Sequence, residues 1–253
     1  MFKGNKFFLA ILVAFYVSGS IFGADAVSVS QIQGLDTTRG LVVDQTIRYF
    51  IHYEVGLDTL TIFHNGFRIY SPDGASWSPT TAMELVPLSM FFDGVGSGIN
   101  LFGNDGVGAD SISLFGASIF GPGLESGFSG DLFFIQTMLS EEQVGKTLCL
   151  DSSFVALSGW LWGGGRIPSW DGPHCHEIVS CCVGHRGDIN GDGKGPNIID
   201  LSRLIDFIFR GLPEPECKLE SDVDSDGLSS KITDLSFIVD YLFRGGPLPE
   251  PCP

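Results

Sequence analysis

A duplicated, aspartate-rich segment near the C-terminus is the sequence feature that most restricts how this chain can fold. Residues 187–193 (GDINGDG) align with residues 221–227 (SDVDSDG) at an offset of 34 positions, and the same offset places Asp200-Leu201 on Asp234-Leu235. Agreement over so many positions indicates a duplicated structural unit.

Each unit predicts an oxygen-lined loop that leads into a short amphipathic helix. Hard cations such as Ca²⁺ take six to eight oxygen ligands, which the D-x-[DN]-x-D-G pattern supplies on alternate residues before a glycine turn. Both loops close at their thirteenth position, one later than a standard loop, and apolar residues at helical spacing follow. The predicted ligands of two Ca²⁺ ions are Asp188, Asn190, Asp192, the Lys194 carbonyl and Asp200, and then Asp222, Asp224, Asp226, the Leu228 carbonyl and Asp234. Asx-rich turns without metal are the alternative.

These paired loops, each followed by an Asp-Leu helix, resemble a dockerin over about a quarter of the chain, from Arg186 to Gly245. The resemblance implies a small all-α module with two EF-hand-like calcium loops that docks onto a cohesin-like domain. Ile205-Asp206 and Val239-Asp240 replace the basic pair usual in the middle of the helices. The partner-binding positions that the resemblance implies are Ile198, Ile199, Arg210, Ile232, Thr233 and Arg244.

The sequence before this segment predicts a mainly β fold. In residues 47–55 every odd position is apolar, which predicts a half-buried strand. Further strands are predicted at residues 60–63, 67–70, 83–92, 111–120, 131–138 and 146–151, and the Gly-rich span 93–110 is predicted as a loop. Short strands separated by turns favour a β-sandwich of about 150 residues, with a barrel as the alternative.

The N-terminus predicts export. Two lysines precede an apolar run of eleven residues, 7–17, which is typical of a signal peptide cleaved after Ala26, although a membrane anchor is the alternative. No later segment is long and apolar enough to span a bilayer. The predicted organisation is a signal peptide at 1–26, a β-sandwich domain at 27–180 and the calcium-binding module at 181–253, in a secreted or cell-surface protein.

All six cysteines follow the predicted signal peptide, and in an exported chain an even number favours disulfides. A zinc site at Cys175, flanked by His174 and His176, is the alternative. We expect Cys149 to pair with Cys175. Cys217 and Cys252 end equivalent Pro-rich tails, so each is expected to bond one member of the adjacent pair Cys181-Cys182, with the choice open.

The net charge and the motifs limit the classes of function that the sequence allows. A net charge of −16 excludes nucleic acid, because phosphate binding relies on Lys and Arg clusters. Glycosidases need a positioned carboxylate pair, and spacing singles out none among Glu84, Glu125, Glu141, Glu142, Asp151 and Asp171. Trp160, Trp162 and Trp170 form either a core cluster or a platform that stacks on polysaccharide.

The sequence therefore favours a secreted non-catalytic protein: a β-sandwich that binds a ligand or has a structural role, joined to a calcium-dependent docking module. The alternative is a small extracellular polysaccharide-degrading enzyme that carries the same module. A positioned acid–base pair would distinguish the two hypotheses.

Overall fold

The structure is a computed structural model that describes residues 24–92, 94–102, 106–118, 121–153 and 160–252. Most of the predicted signal peptide, residues 1–23, lies outside the described residues. The described part contains strands β1 Ala26–Gln33, β2 Leu35–Asp36, β3 Gly40–Val42, β4 Thr46–Glu54, β5 Ile62–Tyr70, β6 Thr81–Glu84, β7 Gly94–Phe102, β8 Ala109–Ser118, β9 Ser129–Met138, β10 Thr147–Ser152, β11 Leu161–Trp162, β12 Ser169–Trp170 and β13 His174–Val179. Helices α1 Ile198–Arg210, α2 Lys218–Ser221 and α3 Ile232–Arg244 follow them.

The strands form two sheets that pack against each other as a sandwich. One sheet has the order β12-β1-β4-β9-β6, and the other has the order β2-β3-β13-β10-β5-β8-β7, with β11 paired to β5. Aromatic rings join the sheets: Phe63 of β5 contacts both Tyr53 of β4 and Phe133 of β9. This confirms a mainly β, sandwich-like front region.

Strand β4 shows how the sequence specifies the inner face of a sheet. Its burial alternates along the strand, and the side chains of Ile47, Tyr49, Ile51 and Tyr53 are fully buried. Successive side chains of a strand point to opposite faces, so the apolar odd positions all enter the core. The prediction of a half-buried strand here is confirmed.

Two tryptophans are part of this core. Trp162 is fully buried, stacks on Tyr53 with ring centroids 6.0 Å apart and donates from Nε1 to Asn65 Oδ1 at 3.1 Å. Trp160 is 5% exposed and donates to the Gly66 carbonyl. Trp170 is half-buried against Trp160. Because Trp160 and Trp162 are enclosed, the three rings do not form an open platform for a sugar.

Three predictions for the front region are wrong in detail. The sequence predicts two separate strands, at residues 60–63 and 67–70, but β5 runs unbroken from Ile62 to Tyr70. The predicted strand 83–92 ends at Glu84, and a 3₁₀ turn, Leu88–Met90, follows. The predicted Gly-rich loop contains β7, which pairs antiparallel with β8. Hydrogen bonds to a neighbouring strand compensate for the low strand propensity of glycine.

The C-terminal segment has a small core of its own. Ile189 and Leu204 from the first repeat pack with Val223 and Ile238 from the second, all of them buried. Helices α1 and α3 are each 13 residues long and end at a glycine with positive φ, Gly211 and Gly245, so the repeats match in structure. None of the helices in the described part of the chain has the length and apolar character needed to cross a bilayer.

The six cysteines form three disulfides, one inside the sandwich and two that attach the helical segment. Cys149 of β10 lies directly opposite Cys175 of β13 and is bonded to it. Cys181 is bonded to Cys217, and Cys182 to Cys252, so the adjacent pair holds both repeat tails. Since Cys175 is in a disulfide, it is not a zinc ligand.

Candidate metal-binding loops

The last carboxylate of each loop lies at the start of a helix. Asp200 is the third residue of α1, and its Oδ2 accepts the N–H of Asn197 at 2.9 Å while its Oδ1 accepts that of Asn190 at 3.1 Å. Asp234 repeats the pattern in α3, accepting the N–H groups of Lys231 and Val223 at 2.7 Å. Each carboxylate therefore caps its helix and holds the loop against it.

The first loop folds around its leading aspartate. Asp188 is almost fully buried, and its carboxylate accepts the N–H groups of Asp192 at 3.1 Å and Gly193 at 2.6 Å. Gly193 has φ of 77°, a left-handed conformation that glycine adopts without strain. Asn190 Oδ1 also accepts from Asp192 N, and Asp192 accepts from Lys194 N. The predicted side-chain ligands thus surround one turn of chain.

The second loop has the same construction. Asp222 accepts from Gly227 N at 3.3 Å, and Asp226 accepts from Leu228 N at 2.7 Å. Single carboxylate oxygens of Asp222, Asp224 and Asp234 all lie within 4.8 Å of one another. This spacing would let one cation contact all three.

The electrostatics of both loops favour a cation. Asp200 and Asp234 are fully buried, and burial is the largest cause of a raised pKa at each carboxyl group. Neighbouring carboxylates raise the pKa further: Asp188 and Asp192 act on Asp200, and Asp224 acts on Asp234. Oxygen-only donors with excess negative charge match a hard divalent ion such as Ca²⁺. The residues present therefore fit calcium, which would neutralise these charges.

Two charged residues beside the loops were missed in the sequence analysis. Arg186 donates from Nη1 to Asp222 Oδ2 and to the Asp222 carbonyl, both at 2.8 Å. Glu220 is buried, which raises its pKa to about 7, and accepts the N–H of Val183 at 2.7 Å. They occupy equivalent positions of the two repeats. The sequence does contain a signal for these two residues: Arg186 and Glu220 carry opposite charges at equivalent positions, where the repeat otherwise predicts similar residues.

The six positions predicted to bind a partner are on the surface. The side chains of Ile198, Ile199 and Ile232 are 60%, 58% and 55% exposed, although they are aliphatic. Arg210 and Arg244 extend from the helix ends and pair with Asp206 at 2.6 Å and Asp240 at 2.8 Å. Thr233 is also exposed. No described contact within the chain brings these residues into one site.

Several carboxylates considered for catalysis have structural contacts instead. Asp151 pairs with Arg68 at 3.2 Å and accepts from Trp170 Nε1. Asp171 pairs with His174 at 2.9 Å, and Glu84 accepts from Leu88 N. Glu141 accepts from Ser180 Oγ, and burial raises the pKa of Glu141.

The chain was compared with known proteins. No family model and no curated protein matches it. Among solved structures, CaCohA2 from Clostridium acetobutylicum is 9% identical, with a TM-score of 0.40, over 62% of this chain and 92% of that one. The sixth cohesin of Acetivibrio cellulolyticus scaffoldin B, solved with a dockerin, is 11% identical, with a TM-score of 0.36, over 62% and 98%. A Nocardia farcinica protein with an immunoglobulin-like fold is 12% identical, with a TM-score of 0.28, over 61% and 97%.

The comparisons contradict the dockerin assignment. The matched modules are β-sandwiches of the cohesin type, and the described part of this chain has only three helices, of 13, 4 and 13 residues. Short calcium-loop repeats carry few positions that distinguish one family from another, so the local pattern was not sufficient.

Proposed function

We propose that this is an exported, non-catalytic binding or structural protein, in which two Ca²⁺ ions organise a C-terminal helical segment that disulfides attach to a β-sandwich. The observation that carries the proposal is the convergence of Asp222, Asp224 and the fully buried Asp234 within 4.8 Å. Without a cation, each pair of carboxylates at ~5 Å would repel by about 3 kcal/mol at an effective dielectric near 20. A divalent ion removes this repulsion.

Each part of the loops would have a defined role toward the ion. The side chains of Asp188, Asn190 and Asp192, with those of Asp222, Asp224 and Asp226, supply oxygens from the turns. Asp200 and Asp234 close the loops from the helices, so ion binding and helix formation are linked. Calcium would supply the positive charge that holds each loop onto its helix, and it would thereby stabilise the small core of Ile189, Leu204, Val223 and Ile238.

The disulfides support export, because such bonds persist mainly in oxidising compartments. The exposed Ile198, Ile199 and Ile232 support protein binding, since a partner that covered these aliphatic side chains would remove apolar surface from water. The proposed partner is a folded protein domain that contacts the start of α1, of α3 or of both. Because Trp160 and Trp162 are enclosed in the core, we do not propose polysaccharide binding.

Calcium titration of the full exported chain tests the proposal. Circular dichroism should show helicity rising with Ca²⁺ to a stoichiometry of two ions, and chelator should reverse the change. The double variant Asp188→Ala/Asp222→Ala should lose the response. Glu214→Gln/Glu250→Gln is the matched control, because it also removes one acid from each repeat, but an exposed one at equivalent tail positions outside the loops.

A second arm of this experiment addresses the partner. Proteins co-exported by the source cells are passed over immobilised wild type and over Ile199→Ser/Thr233→Lys, with calcium and with chelator. The expected result is a protein retained only by calcium-loaded wild type. A chain that binds no calcium and is equally helical in chelator would refute the proposed function.

A further inference from the structure

The two loops differ in charge although they share one architecture. The first loop carries three carboxylates and the neutral Asn190, whereas the second has Asp224 at the position of Asn190 and therefore carries four. Each loop also has one exposed lysine, Lys194 or Lys231, whose charge is screened by water. From the side chains of the loops alone, the second loop would hold a cation more tightly than the first.

A residue outside the second loop offsets this difference. The Arg186 guanidinium donates from Nη1 to Asp222 Oδ2 and to the Asp222 carbonyl, both at 2.8 Å. The two side chains are only 12% and 9% exposed, so the pair is poorly screened by solvent. Arg186 Nε is buried without a hydrogen-bond partner in the described structure, so the described hydrogen bonds of the guanidinium both go to Asp222.

No equivalent pair is found at the first loop. The position equivalent to Arg186 is Glu220, and among the ion pairs of the described residues none includes Asp188. The carbonyl of Glu220 instead accepts the N–H of Gly187 at 2.6 Å. The residues just before the two loops are thus hydrogen-bonded to each other. Arg186 of the first repeat neutralises a carboxylate of the second.

We propose that Arg186 sets the calcium affinity of the second loop, lowering it by neutralising one of the four loop carboxylates. This inference rests on the proposed function. Arg186 lowers affinity by repelling the ion and by occupying a lone pair of Asp222 Oδ2, while Gly227 N continues to orient the carboxylate. Even at the dielectric of bulk water, near 80, Coulomb repulsion between one unit charge and a divalent ion about 5 Å away corresponds to at least about tenfold in affinity.

The test is calorimetric titration of Ca²⁺ into the full exported chain with its disulfides intact. Asp188→Ala isolates the second loop, and there Arg186→Gln should tighten binding by at least about tenfold. Asp224→Ala/Asp226→Ala isolates the first loop, where Arg186→Gln should change nothing. Arg186→Lys keeps the charge and should keep wild-type affinity, which separates charge from the geometry of the guanidinium. Lys218→Gln, which removes an exposed cation four residues before Asp222, is the matched control and should have little effect.

Native mass spectrometry gives a second readout that needs no disabled loop. At low calcium concentration, Arg186→Gln should carry more bound calcium on average than wild type does. Equal tightening of both loops, no change, or weaker binding in Arg186→Gln would overturn the inference and leave the proposed function intact. A wild-type chain that binds no calcium would overturn both.

Discussion

Single residues at the loops combine a structural role with the proposed role of calcium ligand. Asp200 and Asp234 cap helices with the same carboxylates that close the loops. Because each carboxylate is buried, it is unfavourable as a lone charge and becomes favourable when hydrogen bonds and a cation neutralise it. This double role explains why both loops end on an aspartate that is also the third residue of a helix.

His176 of β13 makes the stability of the sandwich depend on pH. Its Nε2 is buried without a hydrogen-bond partner in the described structure, and burial, with a smaller contribution from His174, lowers the pKa of His176 below its ordinary 6.5. The folded state therefore binds this proton less well than the unfolded state. The stabilisation is complete above pH 6.5 and is lost as the pH falls below that value.

Thermal unfolding at pH 7 and at pH 5 tests this prediction. The midpoint should fall more between these pH values in wild type than in His176→Gln, which cannot titrate. His185→Gln, at an exposed loop position, is the control and should keep the wild-type dependence. Equal pH dependence in wild type and His176→Gln would contradict it.

The contacts of strand β1 and of the residue before it argue against cleavage after Ala26. Ala26 begins β1 and pairs with Glu54 of β4. Asp25, just before it, accepts the N–H of Gly56 at 2.9 Å and a bond from Arg166 Nη1 at 3.1 Å, with both charged side chains mostly buried. Cleavage after Ala26 would remove these contacts and leave Arg166 without its carboxylate.

We therefore expect the exported protein to retain Asp25. Intact-mass measurement and N-terminal sequencing of the secreted chain would check this directly. As a control for the importance of the contact, Asp25→Asn should lower the unfolding midpoint in urea, whereas Asp58→Asn, at an exposed position, should not. A mature chain that begins at Val27 would refute the expectation.

At the scale of the whole molecule, two disulfides hold the helical segment on the sandwich. Cys181–Cys217 and Cys182–Cys252 span 36 and 70 positions, and the bonded cysteines pack with the main hydrophobic core. In the chain-entropy model each bond of this span contributes about 4 kcal/mol. A segment of roughly 70 residues has too small a core to be very stable alone, so these bonds supply much of its stability.

Hydrogen exchange of Ile232–Arg244 in the presence of calcium measures this contribution. Cys182→Ser/Cys252→Ser should reduce the protection of this helix strongly, because its C-terminal tail is released. Cys149→Ser/Cys175→Ser is the matched control: it also removes one disulfide, but inside the sandwich, and it should leave the helix protected. Similar protection in wild type and in Cys182→Ser/Cys252→Ser would show that the disulfide does not stabilise the segment.

Several features of this protein follow from its sequence alone. Alternation along residues 47–55 determines the buried face of β4, because the period of a strand is two residues. The closing aspartates and the apolar spacing determine α1 and α3, and Gly211 and Gly245 end these helices, since helix periodicity and capping are local. The duplication of the acidic loops is also evident from the sequence, because each repeat is a local pattern.

Only the tertiary structure decided the remaining features, which depend on residues far apart in the chain. β7 is a strand because β8 provides its hydrogen bonds, although its glycines favour a loop. The enclosure of Trp160 and Trp162 depends on packing between elements, and the Cys181–Cys217 and Cys182–Cys252 pairing depends on where the two tails arrive. The Arg186–Asp222 contact likewise joins side chains 36 positions apart, a separation at which sequence spacing carries no distance information.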